Sequence, residues 1–153
     1  MRSVVWRPVT ARLGGEACLR VLIVEDEALL ALEYELLLEE LDCDPVGVAG
    51  DSVAALAMAR ALAPDLAIVD VNLQDGMTGA DLGVAIGRDP GVPVLFVTSE
   101  ASHVDLEAAG VLGALPKPFT SSGFAAAIGW ARAHVTGGAT GPKPVGVLSH
   151  LVG

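Results

Sequence analysis

Carboxylate, hydroxyl and amine side chains follow four separate apolar runs of this sequence. The residues are Glu25, Asp26, Asp70, Thr98 and Lys117. Continuous apolar runs of this length are typical of buried strands in a parallel sheet. Ligands of open α/β sheets bind outside the carboxyl ends of the strands. We therefore expect these side chains to lie together at one edge of a sheet.

Three carboxylates placed close together repel one another unless a cation lies between them. Oxygen ligands that leave room for water are the ligands that Mg²⁺ prefers. We expect Asp26 and Asp70 to bind Mg²⁺ directly, together with the main-chain carbonyl of Asn72. Glu25 would act either directly or through a water molecule.

A carboxylate, a Mg²⁺ ion and an amine together indicate phosphoryl transfer to an aspartate. Asp70 would be the nucleophile, and it needs no general base because a carboxylate is already ionised. Lys117 and Thr98 would donate to the phosphoryl oxygens on the side opposite the metal. Each residue alone also has a plain structural explanation, such as capping a turn. The combination at four strand ends favours the chemical interpretation.

The elements that must position these residues alternate along the chain. The expected strands are 20–24, 45–49, 66–70, 92–97 and 113–116, and the expected helices are 27–41, 53–62, 80–87, 102–109 and 121–133. Alternating strands and helices predict a parallel sheet covered on both faces, with right-handed crossovers. The predicted fold is α/β and flavodoxin-like, a doubly wound (βα)5 sheet with strand order 2-1-3-4-5.

Charge and composition limit the kind of partner. The formal net charge of −10 argues against nucleic acid or an anionic membrane as a partner. No apolar run approaches the roughly 20 residues that a membrane span needs. Cys18 and Cys43 form no metal-binding pattern. We expect two buried free thiols rather than a disulfide.

The sequence resembles the receiver domain of two-component response regulators from about Leu19 to Ala133. Four segments carry the resemblance. Val24-Glu25-Asp26-Glu27 is similar to the acidic pair of the family, with Glu in place of the commoner first Asp. Val69-Asp70-Val71-Asn72-Leu73 is similar to the phosphoacceptor segment. Phe96-Val97-Thr98-Ser99 and Lys117-Pro118-Phe119 are similar to the switch hydroxyl and the Lys-Pro motif.

The resemblance implies that a histidine kinase or a phosphotransfer protein phosphorylates Asp70 in a Mg²⁺-dependent reaction. The domain would catalyse its own phosphorylation and dephosphorylation, and it would not be an enzyme in the usual sense. It would act in the cytoplasm as a monomer or weak homodimer, on an unknown downstream protein or as a phosphate relay or sink. The resemblance also implies a cis Lys117-Pro118 peptide bond. Asn72 and Glu100 would flank the path of the hydrolytic water.

The domain boundaries follow from the extent of this resemblance and from the composition of the two ends of the chain. Residues 19–135 would form the receiver domain. Residues 1–18 would be a poorly ordered extension, or the result of a start codon placed too early. Residues 136–153 would form a mobile tail rich in Gly and Pro. No second folded domain is expected, so the prediction is a stand-alone receiver.

One position departs from the family pattern. Receivers often carry Tyr or Phe three residues before the Lys, where this chain has Ala114, so the aromatic switch is absent or altered. Phe96 and Thr98 match part of the motif of the atypical FAT GUY receivers. Two other functions stay open at this point. One is a haloacid-dehalogenase-like phosphatase that uses Asp70, and the other is a scaffold that works without phosphorylation.

The first helix carries more leucines than one buried stripe requires. Its expected core residues are Leu30, Tyr34, Leu37, Leu38 and Leu41. Leu29, Leu32 and Leu36 remain on another side, and an exposed apolar stripe commonly marks an interface. We expect this stripe to dock the kinase or phosphotransfer protein, unless the N-terminal extension covers it. Trp130, placed off the core stripe of the last helix, is the competing contact.

Overall fold

A computed structural model describes residues 10–11, 17–73, 79–100, 102, 104–137 and 146–149 of the chain. Five parallel strands form the sheet: β1 (Ala17–Val24), β2 (Cys43–Ala49), β3 (Leu66–Asp70), β4 (Val94–Thr98) and β5 (Val111–Pro116). Four helices lie between or after them: α1 (Ala28–Glu40), α2 (Ser52–Leu62), α3 (Gly79–Arg88) and α4 (Ser121–Thr136). Within this part of the chain, no helix combines the length and apolar character that a membrane crossing requires.

The order of the parallel strands is 2-1-3-4-5, which confirms the predicted flavodoxin-like fold. β1 pairs with β2 on one side and with β3 on the other, and β5 pairs with β4 at the far end. Every residue of β3 and β4 is buried, as expected for central strands that read as continuous apolar runs.

Two apolar layers cover the two faces of the sheet. Beneath α1 and α4, the rings of Tyr34, Phe119 and Phe124 stack with centroids 5.5–6.2 Å apart. Beneath α2 and α3, smaller side chains pack against Phe96 and its neighbours. Side-chain caps fix two helix starts, because Asp51 accepts from the Ala54 N–H and Thr120 accepts from the Gly123 N–H.

The prediction of a helix at 102–109 is wrong for the described residues. Residues 104–110 form bends and turns instead. The side chain of Asp105 accepts a hydrogen bond from the Glu107 N–H at 3.0 Å, which offers this backbone an alternative to helical pairing. Gly110 follows with a φ of 84°, a conformation that ends the segment. β4 therefore connects to β5 without an intervening α-helix over the described residues.

Trp130 was expected to lie off the core stripe of the last helix, and this expectation is wrong. Its side chain is buried and belongs to the core layer beneath α1 and α4. Val147 also belongs to this layer, although it lies in the tail that we expected to be mobile. The described residues 146–149 thus pack against the domain.

Most of the expected extension at 1–18 lies outside the described residues. Thr10–Ala11 forms a two-residue strand that pairs antiparallel with Ala17 and Cys18 of β1. Cys18 and Cys43 are buried free thiols, as predicted.

Three glycines spaced four residues apart, Gly79, Gly83 and Gly87, allow α3 to lie unusually close to its neighbours. A Cβ atom on Gly83 would lie 2.3 Å from two ring carbons of Phe96. A Cβ on Gly79 would lie 2.2 Å from the main-chain oxygen of Asp70, and one on Gly87 would lie 2.6 Å from that of Ala109. These distances leave no room for a side chain on this face of α3.

We expect Gly83→Ala to lower the free energy of unfolding by about 1–3 kcal/mol, because the new methyl group must displace the buried ring of Phe96. Gly129→Ala is the matched control. It lies inside α4 with no atom near its Cβ position, so the substitution should leave stability unchanged or raise it by up to about 1 kcal/mol. Urea unfolding of both variants measures the difference. Equal effects at the two positions would contradict the close contact.

Candidate functional site

The carboxyl ends of four strands place polar side chains at one edge of the sheet. Glu25 follows β1 directly, and Asp70 and Thr98 are the last residues of β3 and β4. All three are buried, with 4%, 4% and 0% of their surface exposed. Lys117 follows β5 directly. The four positions predicted from the sequence thus meet at this edge.

The Asp70 carboxylate is held through both of its oxygens. The Lys117 Nζ lies 2.5 Å from Oδ2, and the Asn72 main-chain N–H donates to Oδ1 at 2.8 Å. The Lys117 main-chain N–H donates to the Thr98 carbonyl at 2.8 Å, which fixes the position of the lysine backbone beside β4. The Lys117–Pro118 peptide bond is cis, as predicted.

Glu25 lacks such compensation. Its Oε1 accepts a hydrogen bond from the Glu27 N–H at 3.2 Å, whereas its Oε2 is buried and has no partner among the described residues. Burial raises the pKa of Glu25 to about 8, and the adjacent Asp70 carboxylate adds to this shift. Glu25 therefore favours its neutral form in the protein without a cation.

Asp70 behaves in the opposite way. Burial alone would raise the pKa of its carboxyl group. The adjacent Glu25 carboxyl, the Lys117 ammonium and the Asn72 N–H outweigh burial and lower the pKa. Asp70 is therefore held ionised, which is the form that a carboxylate nucleophile requires.

The side chains present fit a hard cation. An unpartnered buried oxygen of Glu25 lies beside the Asp70 carboxyl, and oxygen ligands of this kind suit Mg²⁺. The Asp26 side chain is exposed at the same strand end. No group of three His, Cys, Asp or Glu side chains in the described ranges is placed to hold a metal by itself. A cation here would therefore need main-chain or water oxygens as well.

The remaining predicted positions line the rim of the site. The Thr98 hydroxyl accepts from the Glu100 N–H at 2.9 Å, so its orientation is fixed by the turn that follows β4. Asn72 and Glu100 are both exposed, and the Asn72 amide lies 3.4 Å from the Ser99 hydroxyl. Both side chains are thus in contact with solvent, close in sequence to the ends of β3 and β4.

Two features of the site were not predicted. Gly79, which the sequence marked only as part of a loop, lies against the main chain of Asp70, and its N–H donates to the Val71 carbonyl at 3.2 Å. Its sequence signal is the recurrence of glycine at 79, 83 and 87. Ser99 is the second feature, through its contact with Asn72. Ala114 is buried and pairs with Phe96 in the register of β4 and β5. The ring of Phe96 lies against Gly83.

Residues 21–129 match the family model described as the response regulator receiver domain. The transcriptional regulatory protein PdtaR of Mycobacterium tuberculosis is 38% identical over 112 residues, which cover 71% of this chain and 54% of PdtaR. The DNA-binding response regulator MtrA of Mycobacterium leprae is 37% identical over 87 residues, which cover 57% of this chain and 38% of MtrA. The chain thus spans about half or less of the length of these relatives.

The solved structures support the same assignment. One similar structure is the signal receiver domain of a modulated diguanylate cyclase from Desulfovibrio desulfuricans G20. Its TM-score is 0.65 at 28% identity, and the match covers 78% of this chain and 97% of that one.

Proposed function

Because this chain belongs to the family of response regulator receiver domains, we propose that Asp70 accepts a phosphoryl group from a histidine kinase or a phosphotransfer protein. The observation that carries the proposal is the 2.5 Å contact between the Lys117 ammonium and the buried Asp70 carboxylate, beside the uncompensated Glu25. The domain catalyses its own phosphorylation and dephosphorylation, and it signals by protein contact or by passing the group on.

In the proposed transfer, an Asp70 oxygen forms a bond to phosphorus while the bond from phosphorus to the donor nitrogen breaks. The electron pair of that bond stays on the donor imidazole. Asp70 is already ionised, so no proton must be removed first. The Lys117 ammonium, which pairs with the Asp70 carboxylate, is positioned to donate to the phosphoryl oxygens after transfer. The Thr98 hydroxyl supplies a second donor to these oxygens.

Mg²⁺ would be held by Glu25, Asp26, Asp70 and the main-chain carbonyl of Asn72. When bound, it supplies positive charge that neutralises the phosphoryl oxygens. The protein itself orients the Asp70 carboxylate, since the Asn72 N–H and the Lys117 ammonium each bind one of its two oxygens. The orphaned oxygen of Glu25 supports a cation at this place.

We expect Asp70→Asn to abolish labelling by acetyl phosphate in the presence of Mg²⁺, because the amide is not a nucleophile of this kind. Intact-mass spectrometry measures the gain of one phosphoryl group per chain. Asp81→Asn is the matched control, since Asp81 is an exposed carboxylate on α3. Full labelling of Asp70→Asn would refute the assignment.

We also expect Asp26→Asn to raise the Mg²⁺ concentration that gives half-maximal labelling, at least about tenfold. The site would lose a charged ligand of the ion, whereas Asp70 and Lys117 would remain. Titration of labelling rate against Mg²⁺ measures the shift. An unchanged Mg²⁺ dependence would exclude Asp26 from the metal site.

The lifetime of the phosphoryl group should depend on Asn72. This exposed residue and Glu100 flank the proposed path of the attacking water. We expect Asn72→Leu to slow loss of the label severalfold, because an apolar side chain cannot orient water. Asn72→Gln, which keeps the amide, is the control. An unchanged decay rate in Asn72→Leu would show that water is not positioned there.

The exposed leucines of α1 form the proposed docking surface for the kinase. Leu29, Leu32 and Leu36 are 77%, 50% and 54% exposed, whereas Ala31, Tyr34 and Leu38 are buried on the core side. α1 begins just after the acidic residues of the site. A donor helix on this stripe would therefore lie beside Asp70, as transfer requires.

We expect Leu32→Glu with Leu36→Glu to reduce phosphotransfer from the cognate kinase at least about tenfold, since burying these leucines contributes roughly 1.5–3 kcal/mol each at most. Labelling by acetyl phosphate should stay normal. Val53→Glu is the control, because Val53 is also an exposed aliphatic residue, at 78%, and it lies on α2. If the double variant accepts phosphate from the kinase at the usual rate, α1 is not the docking surface.

A further inference from the structure

The outer edge of β5 is already paired with a segment from the tail. β5 is the last strand in the sheet order, so one of its edges faces away from β4. Leu148 forms an antiparallel bridge with Ala114 on this edge. The Leu148 N–H donates to the Ala114 carbonyl at 2.9 Å, and the Ala114 N–H donates to the Leu148 carbonyl at 2.8 Å. This reciprocal pair is the basic unit of an antiparallel ladder.

The side chains of the segment follow the alternation of a strand. Val147 is 2% exposed and joins the core layer that contains Trp130. Leu148 points outward and is 39% exposed. The Ser149 hydroxyl donates to the Leu112 carbonyl at 2.6 Å. Along this edge, the side chain of the first residue is thus buried, that of the second is exposed, and the hydroxyl of the third is hydrogen-bonded.

Gly113 makes room for this contact. A Cβ atom at this position would lie 2.5 Å from the Leu148 carbonyl oxygen and 3.4 Å from both Ser149 Cβ and a ring carbon of Trp130. Glycine inside a strand weakens it, and often marks a place where another backbone approaches. The glycine and the hydroxyl contact show that the edge is shaped for an extended peptide.

We propose that the outer edge of β5 is a strand-docking site for an extended peptide with the pattern aliphatic, any residue, hydroxyl. In this chain residues 147–149 occupy the site as an internal ligand. An exposed strand edge binds such peptides through main-chain hydrogen bonds, and its pockets select the side chains. The internal ligand is held by three hydrogen bonds and one buried side chain among the described residues, so a partner peptide can displace it.

The test uses the full chain and a fluorescent peptide with the sequence of residues 144–151. Val147→Asp should release the segment by placing a charge in the core, and Leu148→Pro should release it by removing the N–H that bonds Ala114. Both variants should bind the peptide saturably. The unsubstituted chain should bind it at least about tenfold more weakly, because its own segment competes at high effective concentration. Leu148→Gln, which changes only an outward side chain, should behave as the unsubstituted chain does.

Adding Gly113→Ala to either release variant should abolish peptide binding, since the new methyl group occupies the place of the peptide carbonyl. A peptide with Asp in place of Val147 should not bind. Hydrogen exchange at the Ala114 amide reports release directly, and circular dichroism confirms that each variant is folded.

The proposal is overturned if the Ala114 amide stays protected in both release variants, or if it is exposed and the peptide does not bind. It is equally overturned if Gly113→Ala leaves peptide binding intact. Light scattering distinguishes one more outcome. Dimerisation of the release variants without peptide binding would show that the edge takes a second copy of the chain instead of a peptide partner.

Discussion

Two carboxyl groups buried side by side are the constraint on which the rest of this structure depends. Glu25 and Asp70 follow Val24 and Val69, which are paired residues of β1 and β3, so the sheet register forces the two groups together. Burial disfavours the charged form of each. The Lys117 ammonium compensates Asp70, but one Glu25 oxygen has no hydrogen-bond partner in the part of the chain that the structure describes. This edge of the sheet therefore offers buried carboxyl oxygens to which a cation can bind.

The position of the compensating ammonium is set by the backbone. The Lys117 N–H bonds to the Thr98 carbonyl, and the Val71 N–H bonds to the Val97 carbonyl, so the ends of β3, β4 and β5 are locked at one level. A slip of one residue in β5 would turn its side chains to the opposite faces of the sheet. The ion pair with Asp70 thus depends on the same strand register that buries Leu115 and Ala114.

The sequence predicted the features that local patterns encode. Fully buried strands such as β3 and β4 read as apolar runs, and the residues that end them locate the site. Features set by distant contacts could not be predicted in this way. Trp130 and Val147 are buried in one core layer, which brings together residues far apart in the sequence. The turns at 104–110 were missed because the Asp105 side chain competes with helical hydrogen bonds. The role of Gly79 becomes visible only when α3 lies against the Asp70 main chain.

The glycines of α3 also bear on the order in which the domain folds. Three of its ten residues are glycine, and each interior glycine costs about 1 kcal/mol relative to alanine in a helix. A short helix of this composition does not persist by itself, so it gains its order only once the sheet offers a surface. α1, without an internal glycine, carries no such penalty. The backbone that packs behind Asp70 is therefore ordered only when α3 packs on the sheet.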